Sequence, residues 1–270
     1  MKVLLISPNS LTTPYPVYPL GLDYVADAIR DDHEVRIVDV NPLSSREGLV
    51  EAIQDYVPDM VGISLRNIDN TDGMHPTGFM GDYAACMETV RKYSRAPVVL
   101  GGSGFTLFPQ EIMKTLGAEY GIVGEGEKLN PLLKTLEAGG DAASIPGIVT
   151  RDAHEALSKP LDRAVVLNYT PEHAQVAYYL KHGGMLNLQT KRGCPFGCIY
   201  CTYPRIEGSR LRRVSPEAVA ERALKLEASG ARYFFVTDSA FNADVEHSTR
   251  VAEAFMDAGV TIPWGRFLHL

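Results

Sequence analysis

Three of the four cysteines in the chain, Cys194, Cys198 and Cys201, fall within eight residues in the stretch TKRGCPFGCIYCTYP (190–204), while Cys86 stands alone far upstream. Thiolates at the spacing C-x₃-C-x₂-C can converge on one metal centre, and Pro195 and Gly197 supply the sharp bend that a chain wrapping such a centre needs. Zinc is the usual guest of C-x₂-C motifs, but a structural zinc site takes four ligands. No fourth cysteine or well-spaced histidine lies nearby, since His182 is twelve residues before Cys194 and His173 further still. Thiolate sulfur also suits iron–sulfur clusters, and a cubane held by three cysteines leaves one iron open to a substrate or cofactor. Ordinary buried cysteines are the bland alternative, against which this clustering in 270 residues argues. Cys86 lies in a segment of helical spacing whose apolar positions it fits, and reads as packing.

A second set of candidates is glycine-rich. GGSGF (101–105) follows one apolar run and GEGE (124–127) the next, so Gly101, Gly102, Ser103, Gly104, Gly124, Glu125 and Gly126 offer backbone that a bulky ligand could approach closely. Neither stretch matches the G-x-G-x-x-G nucleotide fingerprint, and tight turns alone would account for either one. Together, after neighbouring strands, they favour a ligand.

The elements that position these groups alternate regularly. KVLLISP, EVRIVDV, DMVGISL, APVVLGG and YGIVGEG are apolar runs of strand length separated by helical segments such as GLDYVADAIRD and GDYAACMETVRKYS. Strands buried on both faces and alternating with amphipathic helices predict a five-stranded, parallel, Rossmann-like α/β domain over residues 1–140. Its ligand loops then begin at the strand ends, at Pro8, Asn41, Arg66, Gly101 and Gly124. Residues 141–185 are rich in turn formers and read as a linker with one hairpin around Val149 to Val166. From 186 to 270 the alternation returns. MLNLQT leads into the cysteines, SPEAVAERALKLEASG forms a helix with Ser215 as N-cap, Pro216 in the first turn and Gly230 at the end, and RYFFVTDSAF and TIPWGRFLHL are further strands.

Bulk properties exclude several classes. The net charge is −7 and the 26 Lys and Arg residues form no long run, which points away from nucleic acid and membrane surfaces. The opening MKVLLISPNS reaches a proline after a short apolar run, unlike a signal peptide, and clustered thiols fit a reducing, cytoplasmic setting.

The cysteine loop, with Tyr200 immediately before Cys201, resembles the signature of radical S-adenosylmethionine (radical SAM) enzymes. YPLGLDYVADAI, VGISLRNIDN, VVLGGSGFTLFPQEI, GIVGEGE and FVTDSAFN extend the likeness over nearly the whole chain to the cobalamin-binding radical SAM enzymes, a group that includes methyltransferases acting on poorly activated carbon. The resemblance implies a 4Fe-4S cluster on Cys194, Cys198 and Cys201 whose open iron chelates SAM, a cobalamin in the first domain, an external electron donor, and a small-molecule or peptide substrate. It also implies that Tyr200 packs by the SAM adenine, and that Thr237, Asp238 and Ser239, at the next strand end, lie near the SAM amino group. The glycine loops at 101–104 and 124–126 would line the channel for the cobalamin nucleotide tail. In the family, SAM yields a radical that takes hydrogen from a strong C–H bond, and methylcobalamin supplies the methyl group.

Two departures qualify this. Many cobalamin domains supply a lower axial histidine after the first strand, but SPNSLTTPYPVYPLG has none, and DGMHPTG (72–78) has the wrong spacing for His75 to serve. Arg66 is the better candidate below the corrin, where a guanidinium, lacking a lone pair, would occupy the face without coordinating; pairing with Asp69 or Asp72 is its structural alternative. A radical SAM barrel has six βα units and this chain supplies about two and a half, so a partial barrel is expected, with the family's activity describing a fuller ancestor better than this polypeptide. Readings from other classes are a non-catalytic cobalamin-binding module, an inactive fragment, and a zinc-binding structural protein.

Overall fold

A computed structural model of the protein describes residues 1–43, 46–152, 160–168 and 173–269. The chain divides into two units, one made of Met1–Thr12 and Gly21–Lys159, the other of Thr13–Leu20 and Pro160–Leu270.

In the first unit the elements run β1 (Lys2–Ser7), α1 (Leu20–Ile29), β2 (Glu34–Asp39), α2 (Arg46–Tyr56), β3 (Met60–Ser64), α3 (Met80–Tyr93), β4 (Val98–Gly101), α4 (Ser103–Leu107), α5 (Pro109–Leu116), β5 (Tyr120–Ile122), α6 (Leu129–Glu137) and β6 (Ile148–Thr150). The sheet order is β2-β1-β3-β4-β5-β6, parallel throughout except for β6. β1 is central and buried from Val3 to Ser7, which is why it reads as an unbroken apolar run. Strand order reverses between β1 and β3, and in open sheets of this order ligands bind outside the carboxyl ends at that switch point. Tyr83, Cys86, Met87 and Val90, at helical spacing on α3, face a core that includes Leu4, Val61, Ile63, Leu100 and Phe105. Burial pushes the Cys86 thiol up to about 12, so it is an inert packing group.

The sheet has one strand more than its sequence predicts. Ile148–Thr150 lies in the span read as linker, yet it pairs antiparallel with β5 through Ile122↔Ile148 and Tyr120↔Thr150. Three residues at a sheet edge are too few to show a period. Of the hairpin expected around Val149 to Val166, residues 153–159 lie outside the described residues, and 160–168 carry no strand.

The edge is tied by Glu119. Its carboxylate accepts from Arg91 at 2.7 Å, from Arg151 at 3.0 Å and from the backbone N–H of Val98 at 2.8 Å. Burial pushes the carboxyl up, but the Arg91 and Val98 bonds outweigh it and hold it below the ordinary range. A depressed folded pKa gives stability that is present above the unfolded carboxylate value and lost as pH falls through the folded one. Glu119→Ala should lower stability by about 2 kcal/mol at neutral pH, chiefly by orphaning the Val98 N–H, and the deficit should shrink in acid; urea unfolding at pH 7 and pH 3.5 checks both.

The second unit continues with α7 (His173–His182), β7 (Met185–Leu188), β8 (Lys191–Arg192), α8 (Tyr203–Glu207), β9 (Arg212–Arg213), α9 (Pro216–Ala228), β10 (Tyr233–Val236), α10 (Val245–Asp257) and β11 (Trp264–Arg266). α7 falls in the predicted linker; Val176 and Tyr179 are its buried anchors, too few to signal a helix. β11-β10-β7 form a parallel sheet, and β8 pairs antiparallel with β9. Ser215 caps α9 by accepting from Ala218 N, and Asp244 caps α10 by accepting from His247 N. Phe234, Phe255 and Trp264 interlock with Leu186, Val236 and Val251 to make the core. No helix among the described residues is long and apolar enough to cross a membrane.

Candidate cofactor sites at the strand ends

β7 delivers the chain to the cysteine loop through a tightly held stem. Lys191 and Arg192 pair with Arg213 and Arg212. Gly193 then turns at φ 89°, where a Cβ would stand 2.2 Å from the Arg210 carbonyl, so only glycine fits. Cys194 N donates to Gly208 O at 3.0 Å, and Cys201 N to Cys198 O at 3.1 Å. All three loop cysteines are free thiols, Cys194 buried, Cys198 and Cys201 partly exposed. Among the described residues no three Cys, His, Asp or Glu side chains are gathered as a ready ligand set. The donor chemistry nevertheless suits an iron–sulfur cluster, and thiols in such loops are drawn together by the metal they bind. Tyr200 is 86% exposed, while Phe196 stacks on His269 with ring centroids 3.9 Å apart.

The end of β10 carries Thr237, Asp238 and Ser239 in three different settings. Asp238 is 1% exposed and its carboxylate is fully engaged, accepting from Thr190 N (2.8 Å), Thr190 Oγ1 (2.5 Å) and Lys191 Nζ (2.7 Å). Thr237 Oγ1 donates to Leu188 O at 3.2 Å. Ser239 Oγ, by contrast, is buried with no hydrogen-bond partner, leaving it open to a ligand. Thr190, Lys191, Glu207 and His247 complete the surroundings and were not singled out from sequence. Their partners stand 14 to 57 residues away, so no local pattern could have found them; a lysine just before the first cysteine was the one signal available.

At the first unit's switch point the glycine loops meet the exit of β3. Ser103 Oγ donates to Arg66 O at 2.6 Å, and Gly104 N to Leu65 O at 2.9 Å. Thr106 Oγ1 donates to Gly102 O and accepts from Gly124 N, both at 2.9 Å, tying the two loops together. Gly102 adopts φ 102° and ψ 171°, and a Cβ there would lie 2.6 Å from Leu65 O; at Gly104 the distance would be 3.0 Å. These two glycines therefore answer to the protein's own backbone. Gly101 does not, for a Cβ there would meet nothing closer than 4.0 Å. Gly126 is crowded by Val25 Cγ2, and Glu125 is buried. Arg66 is half-buried, and its charge acts on the Tyr83 phenol, whose hydroxyl donates to Asn67 O at 2.5 Å. Asp69 and Asp72 accept backbone N–H groups of their own turn, from Thr71, Met74 and His75.

Residues 6–134 match the model of the B12 binding domain. The chain is 28% identical to tryptophan 2-C-methyltransferase of Streptomyces laurentii, an alignment covering 91% of this chain and 50% of that one. Hopanoid C-3 methylase of Methylococcus capsulatus is 25% identical over 96% of this chain and 50% of its own. In structure, the radical SAM methyltransferase TsrM of Kitasatospora setae, with cobalamin and a [4Fe-4S] cluster bound, superposes with a TM-score of 0.83 at 28% identity, over 93% of this chain and 51% of that one. The first unit thus carries a match to the B12 binding domain, and nearly the whole chain is similar to cobalamin-dependent radical SAM methyltransferases. OxsB, a cobalamin-dependent S-adenosylmethionine radical enzyme, shares the fold at 16% identity with a TM-score of 0.77, over 97% of this chain and 38% of that one. The chain spans about half the length of the curated relatives it matches.

Proposed function

We propose that this chain bears the cobalamin and cluster sites of an enzyme that moves a methyl group from SAM, by way of cobalamin, to a poorly activated carbon of a small molecule or peptide. The observation that carries the reading is the pairing, on one chain, of a B12 binding domain with a strand-exit loop holding three free thiols. When bound, the cofactors supply one-electron chemistry and a methyl carrier. The protein's share is to hold and orient them. Cys194, Cys198 and Cys201 hold the cluster. Ser239 would offer its unpaired hydroxyl to SAM and exposed Tyr200 would pack by its adenine, while Thr237 and Asp238 support that strand end from within. Gly101 and Gly124, with Glu125 and Gly126, border the nucleotide tail, and Gly102, Ser103 and Gly104 fix the course of the wall. Arg66 would sit beside the bound corrin, and its guanidinium, having no lone pair, would offer cobalt no protein ligand. Electrons come from an external donor. Relatives named for methylating tryptophan and hopanoid carbon support a small-molecule substrate.

The test uses SAM labelled in its methyl group. With reduced, reconstituted protein and cobalamin, label is expected to elute with the corrin; label that stays with SAM while both cofactors are loaded contradicts the proposal.

A further inference from the structure

We propose that Lys191 and Asp238 form a register device for the cysteine loop, positioning Cys194 rather than stabilising the fold or contacting SAM; the inference rests on the reading of that loop as a cluster site. Both side chains are 1% exposed, with Nζ and Oδ2 2.7 Å apart. Every strong bond of the pair ends inside the unit. Asp238 takes the N–H and hydroxyl of Thr190, and Lys191 Nζ makes a second bond to Phe241 O at 2.9 Å and lies 5.3 Å from the centre of the Phe241 ring. His247 Nε2 reaches Thr190 O at 3.3 Å from the other side.

A buried ion pair is a weak source of stability, because desolvating both charges offsets most of their attraction, and an apolar pair of similar volume does as well. What such a pair specifies is register. Thr190 and Lys191 are the last residues of the strand exit before the loop, and Asp238 pins them to the end of the neighbouring strand. Glu207 holds the same approach from a second element, accepting from Gly193 N at 3.1 Å and Gln189 Nε2 at 3.0 Å, while Cys194 N bonds Gly208 O. Cys194 is thus held through the residues just before it and by its own N–H, and is sunk to 7% exposure, whereas Cys198 and Cys201, further along the loop, are more open. One ligand is fixed and two are free to adjust to the metal.

The test is residue-resolved alkylation of the full-length, cluster-free chain by iodoacetamide, with mass spectrometry of each cysteine. The single tryptophan, Trp264, sits in the same core and reports by its emission whether the second unit remains folded. Asp238→Asn, and the double variant Lys191→Met with Asp238→Leu, should keep the Trp264 emission of the wild type while Cys194 labels about tenfold faster and Cys198 and Cys201 change less than about twofold. Iron uptake should fall in parallel. Where Asp238→Asn alone unfolds the unit by stranding the lysine charge, the double variant decides. A folded double variant with wild-type protection of Cys194 overturns the proposal. A double variant that does not fold overturns it equally, since the pair would then be holding the fold. Wild-type protein that takes up no iron overturns the cluster reading and leaves the alkylation comparison standing.

Discussion

Replacing Cys194, Cys198 or Cys201 singly by alanine is expected to remove most of the iron from the reconstituted protein, whereas Cys86→Ala leaves the iron content at the wild-type level. Three thiolates are the full protein share of a cubane with one open iron, so losing any one leaves two, and the set fails as a unit. Cys86 lies in the core of the other unit with its thiol pushed up to about 12 by burial, and offers neither access nor thiolate. Near-normal iron in Cys198→Ala, or loss of iron in Cys86→Ala, contradicts the assignment. Cys198 is the sharpest probe of the three, being less buried than Cys194 and so less open to the objection that its loss disturbs packing.

The second large effect separates two adjacent glycines. Gly102→Ala should destabilise the first unit by about 2–4 kcal/mol, because φ 102° with ψ 171° is a region that glycine alone occupies readily and the new methyl would press on the Leu65 carbonyl. Gly101→Ala should leave the thermal midpoint nearly unchanged, since its methyl would meet only Ile122, at an unstrained 4.0 Å, yet weaken cobalamin binding about tenfold by crowding the tail. Calorimetry and cobalamin titration of both variants give the answer. Unchanged cobalamin affinity in a folded Gly101→Ala protein would remove Gly101 from the cobalamin site.

This contrast shows where sequence stops being legible. The alternation of buried strands and amphipathic helices announced the α/β architecture because β1, β3 and β4 are buried on both faces and α3 shows one apolar stripe. Ser215 was readable as the N-cap of its helix. Glycine-rich stretches, however, look alike whether the missing side chain makes room for a ligand or for the protein's own backbone, and only the position of Leu65 tells Gly102 from Gly101. The surroundings of Asp238 were hidden for a related reason. A carboxylate at a strand end suggests a ligand contact, but here a lysine 47 residues earlier occupies it, and nothing local in the sequence encodes that pairing. The hairpin expected from Val149 did not reveal that Ile148–Thr150 pairs with β5, and helix His173–His182 was hidden because it buries too few residues to stand out from turn-rich surroundings.

The central claim is that one chain carries both cofactor sites. It is tested most directly by counting iron, acid-labile sulfide and cobalt in a single sample reconstituted anaerobically with iron, sulfide and cobalamin and then freed of excess. The account predicts about four iron, about four sulfide and about one cobalt per chain. Cobalt without iron would leave a cobalamin-binding module only, and zinc at the three cysteines with neither iron nor cobalt would contradict the account altogether.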